Sequence, residues 1–161
     1  MYMMSLMAWL AAPASRDAGT LNKEKCIKIA LVHDLAESIV GDITPSDPVP
    51  KGEKSRLEAE AMEELRATLG GGPIADEMVS LWDEYENSTS PEAKLVKQID
   101  KFEMALQAFM YEKAQAIDLS EFYSGVKEKL ADPVLQAWFF ELAERRLQQL
   151  PHLPALELGN R

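Results

Sequence analysis

The chain has 161 residues, of which 47% are hydrophobic and 27% are charged, and it contains a single cysteine, Cys26. This length favours one globular domain, and the formal net charge of -10 opposes nonspecific binding to nucleic acid or to an anionic membrane, because those surfaces are also negative. A lone cysteine excludes an intrachain disulfide and a thiolate zinc cluster, as is typical of a reducing compartment.

Residues 1–15 imitate a secretory signal peptide, because an apolar stretch is followed by small residues. The basic residues that open such signals are missing before Arg16. Four apolar residues recur with the spacing of one helical face, namely Met3, Leu6, Met7 and Leu10. Pro13 ends this pattern, and no apolar run reaches the roughly 18 residues of a membrane span. We therefore predict a core helix, in a cytoplasmic protein without a signal peptide or transmembrane segment.

A second predicted helix begins after Asn22, which is a suitable N-cap, and continues to Gly41. Its inward face is predicted to hold Ile27, Ala30, Leu31 and Asp34. Residues 42–52 are rich in proline and are predicted to form a loop.

Five further helices are predicted from the same periodicity, and strand-like alternation is absent from the sequence. They cover residues 54–69, with Leu57, Ala61 and Leu65 inward; 74–86, through Met78, Leu81, Trp82 and Tyr85; 90–111, capped by Ser90; 120–130; and 133–150. Residues 1–150 are thus predicted to be one all-α domain, and residues 151–161 a disordered tail.

The most informative feature is the doublet of His33 and Asp34 inside an apolar run. An imidazole and a carboxylate in such a setting need partners, and a divalent metal satisfies both. On a continuous helix Glu37 would project to the same patch, and Gly41 would allow Asp42 to fold back over it. Asp100 lies beside the apolar stripe of its own predicted helix.

Each of these residues also has a simpler interpretation. His33 alone resembles a hydrogen-bonded core histidine, and Glu37 an ordinary solvated acid. Asp42 is suited to shaping a turn, and Asp100 to pairing with Lys97 or Lys101. The hypothesis of a metal site therefore depends on the combination of residues. One imidazole with several carboxylates favours an Mg, Mn, Co or Fe type of site.

Two segments together resemble the HD-domain superfamily of metal-dependent phosphohydrolases. They are ALVHDLAESIVGDI (residues 30–43) and AKLVKQIDKFE (residues 93–103). Within the superfamily the chain is most similar to the 5'-deoxynucleotidases of the HDDC2 and YfbR type, over nearly all of residues 1–150. This resemblance implies a helical bundle of about six to eight helices, a homodimer, and hydrolysis of deoxyribonucleoside 5'-monophosphates with a divalent cation (Mn, Co or Mg).

The resemblance also assigns roles to individual residues. His33, Asp34 and Asp100 match metal ligands, while Glu37 and Asp42 match acids beside the metal and the substrate. In the resulting mechanism Glu37 protonates the departing 5' oxygen and Asp42 orients the water or the sugar. Two lysines of the Asp100 helix are candidates for offsetting the phosphate charge, namely Lys94 and Lys97.

One part of the family pattern precedes the residues of this chain. It includes a further ligand histidine directly before the pair that matches Met1 and Tyr2, and an upstream helix with an arginine for the phosphate and a tryptophan that helps select deoxyribose. We expect weaker metal binding without that histidine, since loss of even a supporting partner commonly costs about 10- to 100-fold. His152 would replace it only if the tail folded back.

Three functions remain open at this point. The first is a working phosphomonoesterase on deoxynucleotides. The second is a degenerate family member that binds a nucleotide or a partner subunit without turnover. The third is a structural helical module whose acidic cluster is accidental.

Overall fold

A computed structural model describes residues 1–17, 19–44 and 46–156, and its regular elements in this part of the chain are all helical. The α-helices are α1 (Tyr2–Ala11), α2 (Lys23–Val32), α3 (Glu37–Val40), α4 (Lys51–Thr68), α5 (Pro73–Asn87), α6 (Pro91–Gln115), α7 (Val126–Lys129) and α8 (Pro133–Gln149). Short 3₁₀ helices cover Ala12–Ala14 and Ser120–Tyr123. The predicted all-α class is therefore confirmed. None of these helices is long and apolar enough to cross a membrane.

Helix α6 is the centre of the bundle, and it packs against α1, α2, α5, α7 and α8. It begins where the sequence predicts, because the Ser90 hydroxyl accepts a hydrogen bond from Ala93 N at 3.0 Å. One face of α6 is buried along its whole length, from Ala93 and Val96 to Phe109. Helix α2 also begins as predicted, with Asn22 Oδ1 accepting from Lys25 N at 3.1 Å.

The apolar side chains form two separate clusters. The main core joins α1, α2, α6, α8 and the segments between α6 and α8. A small core lies between α4, α5 and the turn before α3, and its buried members are Ala36, Ala61, Met62 and Trp82. Val32, at the end of α2, packs against both clusters. Helices α3 and α4 therefore pack around a small core that is separate from the main one.

The buried face of α1 differs from the prediction. Met4, Met7, Ala8 and Ala11 are buried, whereas Leu10 is 66% exposed. The prediction is thus partly correct, because Met7 is buried and Met3 packs against the main core. The buried face is shifted from the predicted one toward Ala8 and Ala11, where α1 packs against α2.

The predicted second helix is interrupted just after α2. Leu35 N donates to Val32 O and Glu37 N donates to Asp34 O, at 3.0 and 3.1 Å. These three-residue hydrogen bonds replace the four-residue bonds of an α-helix and tighten the backbone into turns. The predicted inward face is also only partly correct, since Ala30 is buried but Leu31 is largely exposed.

Two predictions near the C-terminal end also need correction. The helix expected over residues 120–130 is divided at Gly125, whose φ of +68° lies in the left-handed region. The segment expected to be disordered begins in an ordered form, because Leu153 and Leu156 pack against the main core and Arg146 Nη1 donates to Pro154 O at 2.6 Å. Residues 157–161 of the predicted tail lie outside the described residues.

A buried ion pair joins α6 to α8. Arg146 Nε and Nη2 donate to the two carboxylate oxygens of Glu112 at 2.7 and 2.8 Å, and both side chains are almost completely buried. Tyr123 Oη and Leu119 N donate to the same carboxylate. Burial alone would raise the pKa of Glu112, but the bonds from Arg146, Leu119 and Tyr123 hold it below its usual value. Removing either charge would leave the other one buried without its partner.

Candidate active site

His33 lies at the C-terminal end of α2, where it is 3% exposed. Its Nδ1 is 3.0 Å from Ala30 O, and since a carbonyl can only accept, Nδ1 carries the proton in this contact. A neutral ring then presents a lone pair at Nε2. The edge-to-face contact with Tyr85, at 5.1 Å between ring centroids, fixes the orientation of the ring.

Asp34 brings its carboxylate to this lone pair, with Oδ2 at 2.8 Å from His33 Nε2. With the proton on Nδ1, a neutral ring has none to donate from Nε2, so this buried contact is favourable only when a second proton or a cation lies at Nε2. The turn that follows α2 makes this geometry accessible, because neighbouring residues on a continuous helix point about 100° apart. The convergence of a neutral nitrogen and a carboxylate oxygen is the arrangement that a cation between them would satisfy.

The local charges keep Asp34 ionised. Burial would raise its pKa, but the His33 side chain, the Met1 α-amino group and Lys101 together hold that pKa below its usual value. The contribution of the α-amino group also shows that the amino end of α1 lies close to Asp34.

Glu37 begins α3 and is only partly exposed to solvent. Its burial, together with the negative charges of Asp34 and Asp42, raises its pKa to about 7. Gly41 ends α3 with a φ of +78°, and no atom lies within 4 Å of the place where a Cβ would stand, so the backbone conformation and not the available space favours glycine. This turn leaves Asp42 exposed but close enough to affect Glu37 electrostatically.

Glu58 and Lys54 lie in the same region as Glu37, and the sequence analysis did not predict them as site residues. Glu58 of α4 is 5% exposed, and its carboxylate is 3.5 Å from Lys54 Nζ. Burial raises the pKa of Glu58 against the opposing effect of Lys54, and Asp34 raises it further. The available signal was that Glu58 shares a helical face with Ala61, an acid among inward-facing apolar residues.

Asp100 is held beside this region by α6. Lys101 Nζ lies 2.9 Å from Asp100 Oδ2, so one of the two lysine partners considered from the sequence is observed. Burial raises the pKa of Tyr85, and the nearby charge of Asp100 raises it further, with a smaller effect from a hydrogen bond that the Tyr85 hydroxyl donates to this carboxylate. Tyr85 therefore contacts both halves of the candidate site, through its ring at His33 and through its hydroxyl at Asp100.

The two lysines assigned to the phosphate have different surroundings. Lys97 Nζ donates to Glu86 O at 3.1 Å and lies 4.9 Å from the centre of the Tyr85 ring, which keeps it near the site. Lys94 instead lines a surface cavity of about 300 Å³ together with Ser15 and Asp132. His152 is exposed in the segment after α8.

The structure thus brings His33 and Asp34 together and links Tyr85 to Asp100. Within residues 1–17, 19–44 and 46–156, no three His, Cys, Asp or Glu side chains are arranged to hold a metal ion. The buried lone pair of His33 Nε2 opposite Asp34 is nevertheless the kind of donor set that suits a divalent cation, since imidazole and carboxylate are both common ligands.

Comparison with known proteins identifies the family of this chain. A family model described as "HD domain" matches residues 1–138. The 5'-deoxynucleotidase HDDC2 of Danio rerio is 43% identical over 152 residues, which cover 93% of this chain and 73% of the relative. The 5'-deoxynucleotidase hdd1 of Schizosaccharomyces pombe is 42% identical, with coverage of 92% and 74%.

Two solved structures share the fold. The HD domain-containing protein YGK1 has a TM-score of 0.69 and 31% identity, and the alignment covers 92% of this chain and 76% of that one. A structure from Magnetospirillum magnetotacticum MS-1, described as a predicted metal-dependent phosphohydrolase, has a TM-score of 0.66 at 20% identity, and this likeness concerns the fold alone.

The helical bundle, the His33 and Asp34 pair and these relatives define the class of protein, which is a phosphohydrolase. More particularly, the chain belongs to the HD-domain family.

Proposed function

We propose that this protein is a divalent-metal-dependent phosphomonoesterase that hydrolyses deoxyribonucleoside 5'-monophosphates to deoxynucleoside and phosphate. The observation that carries the proposal is the buried His33 Nε2, which lies 2.8 Å from Asp34 Oδ2 while Nδ1 of the same ring is bonded to Ala30 O. The names of the Danio rerio and Schizosaccharomyces pombe relatives, both 5'-deoxynucleotidases, support the substrate class.

His33, Asp34 and Asp100 are the proposed ligands. The hydrogen bond from His33 Nδ1 to Ala30 O keeps the Nε2 lone pair available, and the Tyr85 hydroxyl orients Asp100. A divalent cation in such sites offsets phosphate charge and makes a nearby water more acidic; Mn, Co and Mg are the candidates. The side-chain arrangement would have to contract around the cation, because three ligands do not yet converge in the described residues.

Glu37 is the proposed general acid. A carboxyl group with a pKa of about 7 is substantially protonated near neutral pH, so it can donate a proton to the 5' oxygen as the bond from phosphorus to that oxygen breaks. A water molecule supplies the new oxygen on phosphorus, and Asp42 is placed to orient either this water or the sugar. Lys97 is the better situated of the two candidate lysines for the phosphate, because Lys94 lines a different surface cavity.

The test measures phosphate released from deoxyadenosine 5'-monophosphate with added Mn or Co, and compares it with release from the ribonucleotide. The proposal expects release from the deoxynucleotide, its loss after chelation, and loss of both release and metal content in His33→Ala and Asp100→Ala. His152→Ala is the matched control, since it removes the other histidine of the chain. Unchanged metal content in His33→Ala would refute the ligand assignment.

A second candidate function is a family member that binds nucleotide or a partner without turnover. The absence of three converged ligands in the described part of the chain favours it. Thermal stabilisation by the deoxynucleotide, without phosphate release at any metal concentration, would select this function.

A measurement of metal affinity can test whether a histidine directly before Met1 acts as a metal ligand. We propose that residues 1–161 alone bind the metal weakly, and that a histidine placed directly before Met1 tightens binding by about 10- to 100-fold. The proximity of the Met1 α-amino group to Asp34 supports this expectation. Isothermal titration with Mn compares the two polypeptides, and equal affinities would exclude a ligand role for that position.

We also propose an intracellular homodimer, as the family resemblance implies. The outward-facing Tyr2, Trp9 and Leu10 of α1 offer exposed apolar surface that is compatible with self-association. The buried Cys26 thiol, whose pKa burial raises to about 12, is unreactive and compatible with a reducing compartment. Sedimentation velocity distinguishes a dimer from the 18.0 kDa monomer.

A further inference from the structure

Lys54 connects helix α4 to the loop that carries Asp42. Its Nζ donates to Ile43 O at 2.7 Å, across eleven positions in the sequence. The same ammonium lies 3.5 Å from Glu58 Oε1, one helical turn further along α4. Lys54 lies outside both sequence segments on which the family resemblance depends.

Burial distinguishes this contact from an ordinary surface ion pair. Glu58 is 5% exposed, so its charge requires a cation beside it. Glu58 in turn holds the Lys54 ammonium at the place from which it reaches Ile43 O. The same helix offers a comparison, because Arg56 and Glu60 have the same four-residue spacing but are both exposed to solvent.

The bonded carbonyl determines what this contact does. Ile43 directly follows Asp42, and the described residues of this loop, 41–44 and 46–50, have no regular secondary structure. Gly41 gives the backbone freedom at one end of this short segment, and the bond from Lys54 removes freedom at the other. The peptide that carries Asp42 is thus held between α3 and α4.

We propose that Lys54, held by Glu58, is a positioning residue that fixes the backbone at Ile43 and thereby sets where Asp42 stands relative to Glu37. This inference rests on the proposed function and deepens it, because it assigns a role in the same site to a side chain that does not touch the substrate.

The first test replaces Lys54 with methionine, which keeps the length of the side chain and removes the ammonium. We expect kcat for phosphate release to fall by about tenfold, as is common when a supporting contact of a site is lost, and Lys54→Arg to recover most of it. Arg56→Met is the matched control and should leave kcat unchanged. Full activity in Lys54→Met would overturn the proposal.

A double-mutant cycle separates positioning from general damage to the fold. If Lys54 acts through Asp42, then Lys54→Met should reduce kcat much less in an Asp42→Asn background than in the unmodified protein. Equal reductions in the two backgrounds would overturn the proposal. Arg56→Met should have no effect in either background.

Folding is controlled separately, because Lys54→Met leaves the buried Glu58 without its cation. The double variant Lys54→Met with Glu58→Gln removes both charges and avoids an unpaired buried carboxylate. It should remain folded by thermal unfolding and show the same reduction in kcat as Lys54→Met. Normal activity in the folded double variant would refute the positioning role.

Hydrogen exchange supplies a readout that does not depend on catalysis. Amides of residues 41–44 should exchange faster in Lys54→Met than in Arg56→Met, because the loop has lost its attachment. Unchanged exchange would overturn the proposal. Absence of phosphate release from the unmodified protein would refute the proposed function alone, and the exchange result would then decide whether Lys54 positions the loop.

Discussion

Replacing Glu37 with glutamine is expected to stabilise the metal-free protein above neutral pH. Burial, together with Asp34 and Asp42, raises the pKa of this carboxyl from 4.5 to about 7. The folded protein therefore holds the proton more tightly than the unfolded chain does. Stability from this group is complete at low pH and is lost as the pH rises from 4.5 through about 7. Glutamine is neutral and similar in size, so it avoids this loss.

The size of the effect follows from the shift in pKa. At about 1.4 kcal/mol per pKa unit, the charged carboxylate costs at most about 3.5 kcal/mol in the folded state. Glu37 is partly exposed, and screening by solvent reduces this to about 1–2 kcal/mol. For a chain of this length such a change raises the melting temperature by about 2–8 °C.

Thermal unfolding in the presence of a chelator, at about pH 8 and about pH 5, measures the difference between Glu37→Gln and the unmodified protein. The stabilisation should be large at the higher pH and shrink at the lower one. Glu64→Gln, on the exposed side of α4, is the control and should show little change at either pH. A Glu37→Gln protein that is no more stable at the higher pH would refute the account of the raised pKa.

Three further predictions concern other contacts. Tyr85→Phe keeps the aromatic ring beside His33 but removes the hydroxyl that interacts with Asp100. Phosphate release should therefore fall about tenfold, with little change in melting temperature. Glu112→Gln removes the buried counter-charge of Arg146, leaving only the half-exposed Asp118 carboxylate at 3.6 Å, and should cost about 3 kcal/mol in urea unfolding. Gly41→Ala forces a side chain into the left-handed region and should cost about 1–2 kcal/mol, measured in the same way, and lower phosphate release. The control Gly52→Ala, where the backbone requires no glycine, should do neither.

Local signals in the sequence were sufficient for most helices. Asn22 and Ser90 cap the helices that were expected to follow them, because a cap depends on hydrogen bonds to residues only two or three positions away. Periodicity also identified the buried Leu81, Trp82 and Tyr85 of α5. Such signals do not depend on how distant segments pack, so they can be recognised from the sequence alone.

The parts that were missed depend on contacts between distant segments. The turns after Val32 are not encoded by a proline or glycine, and the sequence there reads as an uninterrupted helix. Glu58 carries no motif, and its burial follows from how α4 packs on α5. Proximity in sequence placed Lys94 beside Asp100, whereas the helix directs it to another cavity. The roles proposed for the site residues stay predictions until metal and activity are measured.

The small core beneath α4 has a consequence for how molecules enter and leave the site. The free energy of a local opening depends on how much packed apolar surface must separate. Among the described residues this core has four buried members, fewer than the main core, with partly buried side chains around them. Helices α3 and α4, which carry Glu37, Lys54 and Glu58, can therefore open locally at a lower free energy than that of unfolding the whole bundle. His33, Tyr85 and Asp100 instead lie at or on α2, α5 and α6, which pack against one another. The side of the site formed by α2, α5 and α6 is therefore more rigid than the side formed by α3 and α4. A site with one flexible side is suited to releasing two products after each turnover.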